Sequence, residues 1–419
     1  MAAGCLLVAA SVGSAKDPSR ATGPVVPSPQ IPPPTITAQS AVLIEGGTGD
    51  LLFAKNADAK RYPASLTKVL TAVVVLRQGG PSQLVRTGDA VARVGGTRVG
   101  LTPGECVTAT DLLTAMLVRS GNDAAVALAE HIGGSVADFS RMMNQTAEVL
   151  GATHSHFANP HGLHDSSHYS TAYDLAQIMR HGMQWPEIRR LVRQRSAVVA
   201  SAENHSGTVL VNKNRLLDRY PGATGIKTGY TNAAGRCLAA SARRDNREII
   251  AVLLDAEKLW EDAEALLDWG FDNFEAVRLA RKGKTSWRVP VLGGRVRELR
   301  AVAMEDVVVV APKGEQNSCS VEPLVPELRA PLERGQVVGR LRVRMFTGAV
   351  RYVALVSAER VERSLWARVT ARGTALWGLA AVIFGLVGVA FYASAAESAR
   401  RRRRRLAAQV RRANNGRTR

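Results

Sequence analysis

The stretch Tyr62-Pro63-Ala64-Ser65-Leu66-Thr67-Lys68 (YPASLTK) starts a helical pattern and carries a serine and a lysine three residues apart. On a helix, residues at this spacing share a face and lie within hydrogen-bond reach. A serine becomes nucleophilic beside a base, and a lysine serves as that base when burial or nearby cations lower its pKa. Pro63 fits the start of a helix, so the Ser65 amide is expected among the unpaired donors of the first turn. The stretch predicts an activated serine, although exposed helices carry the same pair by chance.

Secondary-structure patterns continue on both sides of this stretch. Two apolar runs, 41–45 and 51–55, flank a glycine-rich turn and predict a hairpin. The helix after Pro63 is predicted to stop at Gly79. A second helix is expected to follow Thr108, whose spacing to an aspartate forms a capping box, and a third is expected over 123–131.

Two further motifs follow Ser65 in the chain. Ser120-Gly121-Asn122 lies between the second and third predicted helices, where the same residues also suit a plain capping turn. Lys227-Thr228-Gly229 precedes two apolar runs, 237–242 and 248–254, and is predicted to lie on a strand of the same antiparallel sheet. Glycine inside a strand often marks close approach by a ligand.

The ordered set S-x-x-K, S-x-N and K-T-G resembles the penicilloyl serine transferases, which comprise β-lactamases and penicillin-binding proteins. The flanking sequences are similar to those of the low-molecular-mass D-alanyl-D-alanine carboxypeptidases, serine peptidase family S11. The similarity covers about 38–274 and rests on YPASLTK (62–68), SGNDAA (120–125), FANPHGL (157–163) and GIKTGYT (225–231). It implies an α+β, penicillin-binding/β-lactamase-like transpeptidase fold, in which helices flank an antiparallel sheet and a helical cluster lies beside it.

The resemblance also implies a role for each motif residue. Ser65 would attack the carbonyl between the two terminal D-alanines of a peptidoglycan stem pentapeptide, with Lys68 as general base. Ser120 would relay a proton to the leaving amine, and Asn122 would hold the substrate amide. The remaining predicted substrate-binding residues are Lys227, Thr228, Gly229 and Tyr230, where the lysine and threonine meet the substrate carboxylate and the Ser65 and Tyr230 amides form the oxyanion hole. The family needs no metal or organic cofactor, and β-lactams would acylate Ser65.

Histidines and cysteines raise two other possibilities. Five of the eight histidines fall within 154–168, but the family patterns N-P-H-G-L and H-Y-S-T explain His161 and His168, and no partner shows zinc spacing. We therefore predict no metal site. Cys106 and Cys237 suit either a disulfide in an oxidising exterior or two small buried residues, and sequence alone leaves both open.

Three other functions use the same motifs. A serine β-lactamase needs a deacylating base, and Glu148 and Glu187 lie between the second and third motifs without the expected context. A non-catalytic wall-binding scaffold is disfavoured because all the motif residues are intact. A D,D-endopeptidase stays open, because the same chemistry cuts cross-links and only groove shape separates the two bonds.

The composition excludes several classes of protein. The 419 residues include 55 basic and 36 acidic ones, a net charge of +19, with 46% apolar residues and four cysteines. These values exclude a disordered, collagen-like or disulfide-stapled chain. Ten of the excess charges lie in 400–419, which leaves the body at about +9.

The two ends of the chain carry targeting patterns. Residues 376–393 contain no charged side chain and are long enough for one transmembrane helix, and the arginine-rich tail 394–419 follows. The positive-inside rule then puts the tail in the cytoplasm and the catalytic domain outside. A nucleic-acid-binding tail is disfavoured, since it needs no apolar helix before it. At the N-terminus, 1–15 fits a signal peptide that lacks a basic n-region, and 16–37 fits a proline-rich linker.

The segment between the catalytic domain and the membrane helix changes in character. Valine-rich runs separated by glycine or proline predict a small β-rich domain over 275–358. A charged stem over 359–375, expected to be helical, would lead into the membrane. We interpret the β-rich domain as a spacer.

Overall fold

The structure, a computed structural model, describes residues 31–79, 83–199, 207–365 and 382–400. The described chain forms two compact units. The first contains the residues up to Ala280 together with Val307–Val321 and Arg342–Arg351. The second contains Arg281–Asp306, Glu322–Leu341 and the described residues from Tyr352 onward. The domain boundaries expected from the sequence, 38–274 and 275–358, stay predictions.

Strands occur in both units. In chain order they are β1 Ser40–Glu45, β2 Leu51–Lys55, β3 Leu84–Arg86, β4 Cys106–Thr108, β5 Ser196–Val199, β6 Thr208–Val211, β7 Ala223–Thr231, β8 Gly235–Arg244, β9 Arg247–Leu254, β10 Phe274–Ala280, β11 Ser286–Leu292, β12 Glu298–Ala303, β13 Val307–Pro312, β14 Ser320–Leu324, β15 Leu328–Arg329, β16 Val337–Arg344 and β17 Val350–Ser357.

Most helices lie in the first unit. They are α1 Thr67–Arg77, α2 Ala90–Arg93, α3 Ala109–Thr114, α4 Asn122–Gly133, α5 Val136–Val149, α6 Ala172–Gly182, α7 Pro186–Val192, α8 Leu216–Arg219, α9 Leu259–Asn273 and, near the C-terminus, α10 Val382–Arg400. Ala64–Leu66 and Gln316–Ser318 form 3-10 turns, and Ala115–Arg119 is a π-helical segment.

A five-stranded antiparallel sheet in the order β2-β1-β9-β8-β7 is the centre of the first unit. Strands β1, β2 and β9 read as nearly continuous apolar runs, and β9 has both of its faces covered. In β9, Ile250 and Val252 join the core formed with α1 and α3–α6, whereas Ile249 and Ala251 join the core formed with α9. Burial of each large aliphatic side chain stabilises the fold by about 1.5–3 kcal/mol.

The predicted hairpin and the predicted cap at Thr108 are confirmed, and α4 extends two residues past its predicted end at 131. Strands β1 and β2 pair across the glycine-rich turn. The Thr108 hydroxyl accepts a hydrogen bond from the Asp111 amide at 3.2 Å and caps α3. Helix α4 ends where Gly134 adopts a left-handed conformation with φ 73°.

Part of the predicted linker packs on the first unit. The Thr37 and Ala38 amides donate to the buried Asp262 carboxylate of α9 at 2.9 and 2.8 Å. Trp269 of the same helix donates its indole N–H to the Pro32 carbonyl at 3.0 Å. Residues from about 31 onward therefore belong to the folded first unit.

A six-stranded sheet in the order β14-β16-β17-β12-β11-β15 dominates the second unit, which confirms the predicted β-rich character. Val289, Leu299, Leu341 and Leu355 are buried on one face of it. The helical stem expected from residue 359 is wrong for the described residues up to 364. Val361 instead pairs with Leu332 through two backbone hydrogen bonds of 2.9 Å, because its apolar side chain is buried in this unit while its charged neighbours stay at the surface.

Helix α10 is one candidate membrane span by length and composition, with a mean hydropathy of 1.6. The predicted span 376–393 overlaps it from Val382, and residues 376–381 lie outside the described residues. The helix continues to Arg400, past the predicted end of the apolar stretch. The predicted signal peptide 1–15 and the tail from 401 also lie outside the described residues.

Candidate active site

Ser65 lies in the 3-10 turn that leads into α1, and Lys68 lies in the first turn of that helix. The turn forces Ala64 into a positive φ of 48°, which is uncommon for a residue with a Cβ. Local strain of this kind persists where the surroundings fix the backbone. Here the turn brings Ser65 Oγ within 2.8 Å of Lys68 Nζ, the contact expected of a nucleophile and its base.

The Lys68 amine is fully buried and has three oxygen neighbours. Besides Ser65 Oγ, Nζ lies 2.7 Å from Asn122 Oδ1 and 2.7 Å from the His161 carbonyl oxygen. Burial, reinforced by the positive charges of Lys227 and Lys213, lowers the pKa of Lys68 well below its ordinary value. The site therefore favours the neutral amine more than solvent does.

The second motif lies where two helical segments meet. Ala115–Arg119 ends at Ser120, which has a left-handed φ of 72°, and α4 starts at Asn122. The Asn122 side-chain amide donates to the Gly95 carbonyl at 2.7 Å, which turns its oxygen toward Lys68. The amide orientation thus follows from both of its contacts.

The loop 95–101, which was not predicted to belong to the site, is hydrogen-bonded to this motif. The buried Asp123 carboxylate accepts hydrogen bonds from the amides of Val99, Gly100 and Leu101 at 2.9, 2.8 and 3.2 Å. The same loop supplies the Gly95 carbonyl and the Thr97 side chain to the site. A motif search finds side chains, so these backbone contacts left no signal in the sequence.

The third motif lies on β7, at the edge of the central sheet. Lys227 is buried and donates to the Thr228 carbonyl at 3.1 Å. Burial, with a smaller effect of the Lys213 charge, lowers the pKa of Lys227 to about 7. Lys227 can therefore change protonation state near neutral pH.

Gly229 allows β7 to approach the nucleophile's turn. A Cβ at this position would lie 3.0 Å from both Ala64 Cβ and the Ser65 nitrogen. A glycine inside a strand predicts close approach by a ligand. The described contact is with the turn that carries Ser65.

We expect Gly229→Ala to lower the rate of acylation at Ser65 by about tenfold, since an added methyl in a packed contact costs about 1–3 kcal/mol and must displace the strand or the turn. Gly47→Ala is the matched control, because a Cβ at Gly47 meets nothing within 4 Å. Labelling with a fluorescent penicillin over time measures both variants. Equal rates for parent and Gly229→Ala contradict this account of the glycine.

A groove of about 510 Å³ brings the motif residues together. Of the residues predicted from sequence, Ser65, Ser120, Thr228, Gly229 and Tyr230 line it, while Lys68, Asn122 and Lys227 are buried and are not among the lining residues. Residues that the sequence analysis missed also line the groove, namely Thr97, Lys213, Arg236, Leu259 and Trp260. Lys213 donates to Thr97 Oγ1 at 2.9 Å, so two separate loops meet at this wall.

The glutamates, histidines and cysteines considered from the sequence, including Glu148 and Glu187, are not among the residues that line the groove. Within the described residues no cluster of three metal-ligating side chains occurs, and the histidines of 154–168 make separate contacts. Cys106 and Cys237 are both free thiols.

The chain matches known proteins along most of its length. Residues 27–258 match the peptidase S11 family model, described as D-alanyl-D-alanine carboxypeptidase, and 274–363 match the C-terminal domain of penicillin-binding protein 5. D-Alanyl-D-alanine carboxypeptidase DacF of Bacillus subtilis is 35% identical over 73% of this chain and 80% of its own. DacD of Escherichia coli is 35% identical over 82% of this chain and 91% of its own.

The fold matches in the same way. The crystal structure of penicillin-binding protein 5 from Haemophilus influenzae superimposes with a TM-score of 0.71 at 32% identity, covering 80% of this chain and all of that one. The penicillin-binding fold expected from the sequence, followed by a β-rich domain, is therefore confirmed. The chain belongs to the peptidase S11 family of D-alanyl-D-alanine carboxypeptidases.

Proposed function

We propose that this carboxypeptidase removes the terminal D-alanine from peptidoglycan stem pentapeptides through an acyl-enzyme on Ser65, and so acts in cell-wall maturation. The observation that carries the assignment is the 2.8 Å contact between Ser65 Oγ and the buried Lys68 amine. The substrate follows from the activity of the family. β-Lactams, which mimic D-Ala-D-Ala, are expected to acylate the same oxygen.

The hydrogen-bond count at Lys68 supports its role as general base. A neutral amine has two N–H donors and one lone pair. The Asn122 and His161 oxygens are acceptors only, so they take both N–H groups. The lone pair is then left for the Ser65 hydroxyl, which donates its proton as the oxygen attacks.

Acylation exchanges one bond for another. The Ser65 oxygen bonds to the carbonyl carbon of the penultimate D-alanine, and the amide bond to the terminal D-alanine breaks. The proton taken up by Lys68 passes to the leaving amine, with Ser120 on the groove wall as the proposed relay. Water then hydrolyses the ester and releases the shortened peptide. The Ser65 and Tyr230 amides are proposed to stabilise the oxyanion in both steps.

The substrate carboxylate is proposed to bind at Lys227 and Thr228, with Asn122 holding the substrate amide. A cation and a hydroxyl together suit a terminal carboxylate in a partly desolvated groove. Because the pKa of Lys227 is lowered to about 7, its charge in the empty groove falls as pH rises past neutral. Carboxylate binding favours the protonated form, so binding and protonation are linked.

We expect the KM for a D-Ala-D-Ala peptide to rise about tenfold between pH 7 and 9, because a lost charge-assisted hydrogen bond is worth about 1.5 kcal/mol or more. Lys227→Arg keeps its charge throughout this range and should remove the rise. Steady-state D-alanine release at each pH measures both. A pH-independent KM in the parent, or the same rise in Lys227→Arg, contradicts the assignment.

Hydrolysis of the terminal D-alanine and cleavage of a cross-link use the same chemistry. An assay of the full chain in detergent on a stem pentapeptide and on a cross-linked muropeptide dimer distinguishes the two activities. Release of D-alanine from the pentapeptide alone supports the carboxypeptidase. Preferential cleavage of the dimer moves the assignment to D,D-endopeptidase.

We propose that α10 anchors the protein in the cell membrane in a single pass, with the catalytic domain outside and the C-terminal tail in the cytoplasm. The support is the apolar helix followed by arginines at 400–405. The sequence domains, with catalytic residues in 38–274 and a β-rich spacer over 275–358, are part of this proposal. In chain order the spacer lies between the catalytic residues and the membrane helix.

We expect the full chain to sediment with membranes and to resist alkaline carbonate, whereas a chain ending at Arg363 should become soluble. The reason is that about 18 apolar residues suffice to span the hydrocarbon layer. A reporter fused after Arg419 that is active only in the cytoplasm tests the orientation. An inactive cytoplasmic reporter, with the full chain still in the membrane, contradicts the proposed topology.

A further inference from the structure

His168 is buried and contacts two separate parts of the active-site region. Its Nε2 lies 2.9 Å from Thr67 Oγ1, and Thr67 is the residue before Lys68 in α1. Its Nδ1 accepts a hydrogen bond from the Ala158 amide at 3.1 Å. The ring therefore connects the helix that bears Lys68 to the segment that starts at Ala158.

These contacts define the tautomer of His168. A backbone N–H can only donate, so Nδ1 carries no proton and Nε2 carries the ring hydrogen, which it donates to Thr67. Burial lowers the pKa of His168 to about 4, and His156 and Lys68 act in the same direction while Asp165 opposes them. The neutral ring is thus the form present at neutral pH. A charged ring has no acceptor left for Ala158.

The segment that His168 holds carries the acceptor for Lys68. Three residues after Ala158, the His161 carbonyl accepts from Lys68 Nζ at 2.7 Å, and between them the Pro160 carbonyl accepts from Thr71 Oγ1 at 2.7 Å. Gly162 follows with φ 84°, and a Cβ there would overlap the Ala64 carbonyl oxygen beside Ser65. The position of this segment therefore determines where the Lys68 lone pair points.

We infer that neutral His168 is a positioning residue for Lys68, holding the 158–161 segment against α1 so that the His161 carbonyl occupies one N–H of the amine and leaves the lone pair to Ser65. This inference rests on the proposed role of Lys68 as the base. His168 lies outside the groove-lining residues, so it acts through Lys68 rather than on substrate.

Two amide substitutions separate the two ends of the connection. In His168→Asn the side-chain oxygen replaces Nδ1 and can accept from Ala158. In His168→Gln the amide reaches the Nε2 position and retains only the Thr67 contact. His168→Ala removes both. Stopped-flow acylation of the full-length protein by a chromogenic β-lactam gives the acylation rate constant and the dissociation constant of the preceding complex separately.

We expect the acylation rate constant to fall about 30- to 100-fold in His168→Ala and His168→Gln, because a shift of about 1 Å in a catalytic group costs rate on this scale. His168→Asn should stay within about threefold of the parent. The dissociation constant should change little in all three, since the groove is untouched. Rates are normalised to the folded fraction from near-UV circular dichroism.

Several results would overturn the inference. Equal losses in the Asn and Gln variants, or a loss confined to the dissociation constant, would show that His168 acts only in packing. If the variants do not fold, Thr67→Val removes only the Thr67 end of the connection and should stay within about threefold of the parent, as expected for His168→Asn. A loss of about 30-fold in the acylation rate constant of Thr67→Val would overturn the assignment of the effect to the Ala158 contact. If Lys68→Arg acylates normally, the proposed base is wrong. A parent-like His168→Ala beside an inactive Lys68→Arg overturns the positioning role alone.

Discussion

Ser65→Ala is expected to lower D-alanine release by at least about 10⁴-fold and to abolish covalent labelling by β-lactams. The substitution removes the only atom that the proposed acyl-enzyme is built on, while Lys68, Asn122 and the groove remain. The loss should therefore appear in kcat, with the noncovalent affinity for peptide nearly unchanged. D-Alanine release from the pentapeptide and the intact mass after incubation with penicillin measure the two activities.

Ser140→Ala is the matched control for this substitution. Ser140 is a buried serine of α5 whose hydroxyl donates to the Val136 carbonyl at 2.8 Å, within its own helix. It should keep parent activity and labelling. Release above about 1% of the parent rate by Ser65→Ala, or a penicillin adduct on that variant, would assign the nucleophile to another residue.

The side chains of the site could be predicted from the sequence, because each motif fixes its own local geometry. Ser65 and Lys68 are three residues apart at the start of a helix, so their contact is local. That Ser120 and Lys227 belong to the same site as this pair was predicted only from the family resemblance. Long-range sheet pairing leaves little trace in a single sequence. The structure adds the register that places Gly229 against the Ser65 turn.

The parts that the sequence did not reveal are mainly backbone groups. The Gly95 and His161 carbonyls orient Asn122 and Lys68, yet any residue has a carbonyl. His161 was noted for its ring, whereas its main-chain oxygen makes the contact. Lys213 and Arg236 escaped notice because an isolated cation in a loop or at a strand end usually faces solvent.

In the segment from residue 359, the sequence predicted a helix that the described residues up to 364 do not form. Its charges suggested a helical stem, but a buried Val361 between exposed Arg360 and half-buried Glu362 fits an extended chain pairing with a sheet equally well. Short segments give too few residues to separate a period of 3.6 from one of 2. The tertiary partner Leu332 decides the conformation here.

Lys68→Arg is expected to lower acylation by at least about 10³-fold, because guanidinium keeps the positive charge and the donors but cannot accept a proton at any ordinary pH. In the parent, the base must be neutral. Since burial and the charges of Lys227 and Lys213 lower the pKa of Lys68, acylation should rise with pH as the amine loses its proton and fall as pH decreases. The pH profile of Lys68→Arg should lack this rising limb, in which the acylation rate increases with pH.

The pH dependence separates loss of a base from loss of packing. Lys60→Arg is the control, because Lys60 is an exposed lysine that precedes the motif in the sequence. This variant should reproduce the parent rate and its pH profile. If Lys68 only filled space or paired charge, arginine would rescue it partly and the surviving rate would keep the parent's rising limb. A Lys68→Arg variant with that limb intact would therefore transfer the role of base to another group. The Asn122 and His161 oxygens would then serve an ammonium ion, and the lone-pair argument at Ser65 would no longer hold.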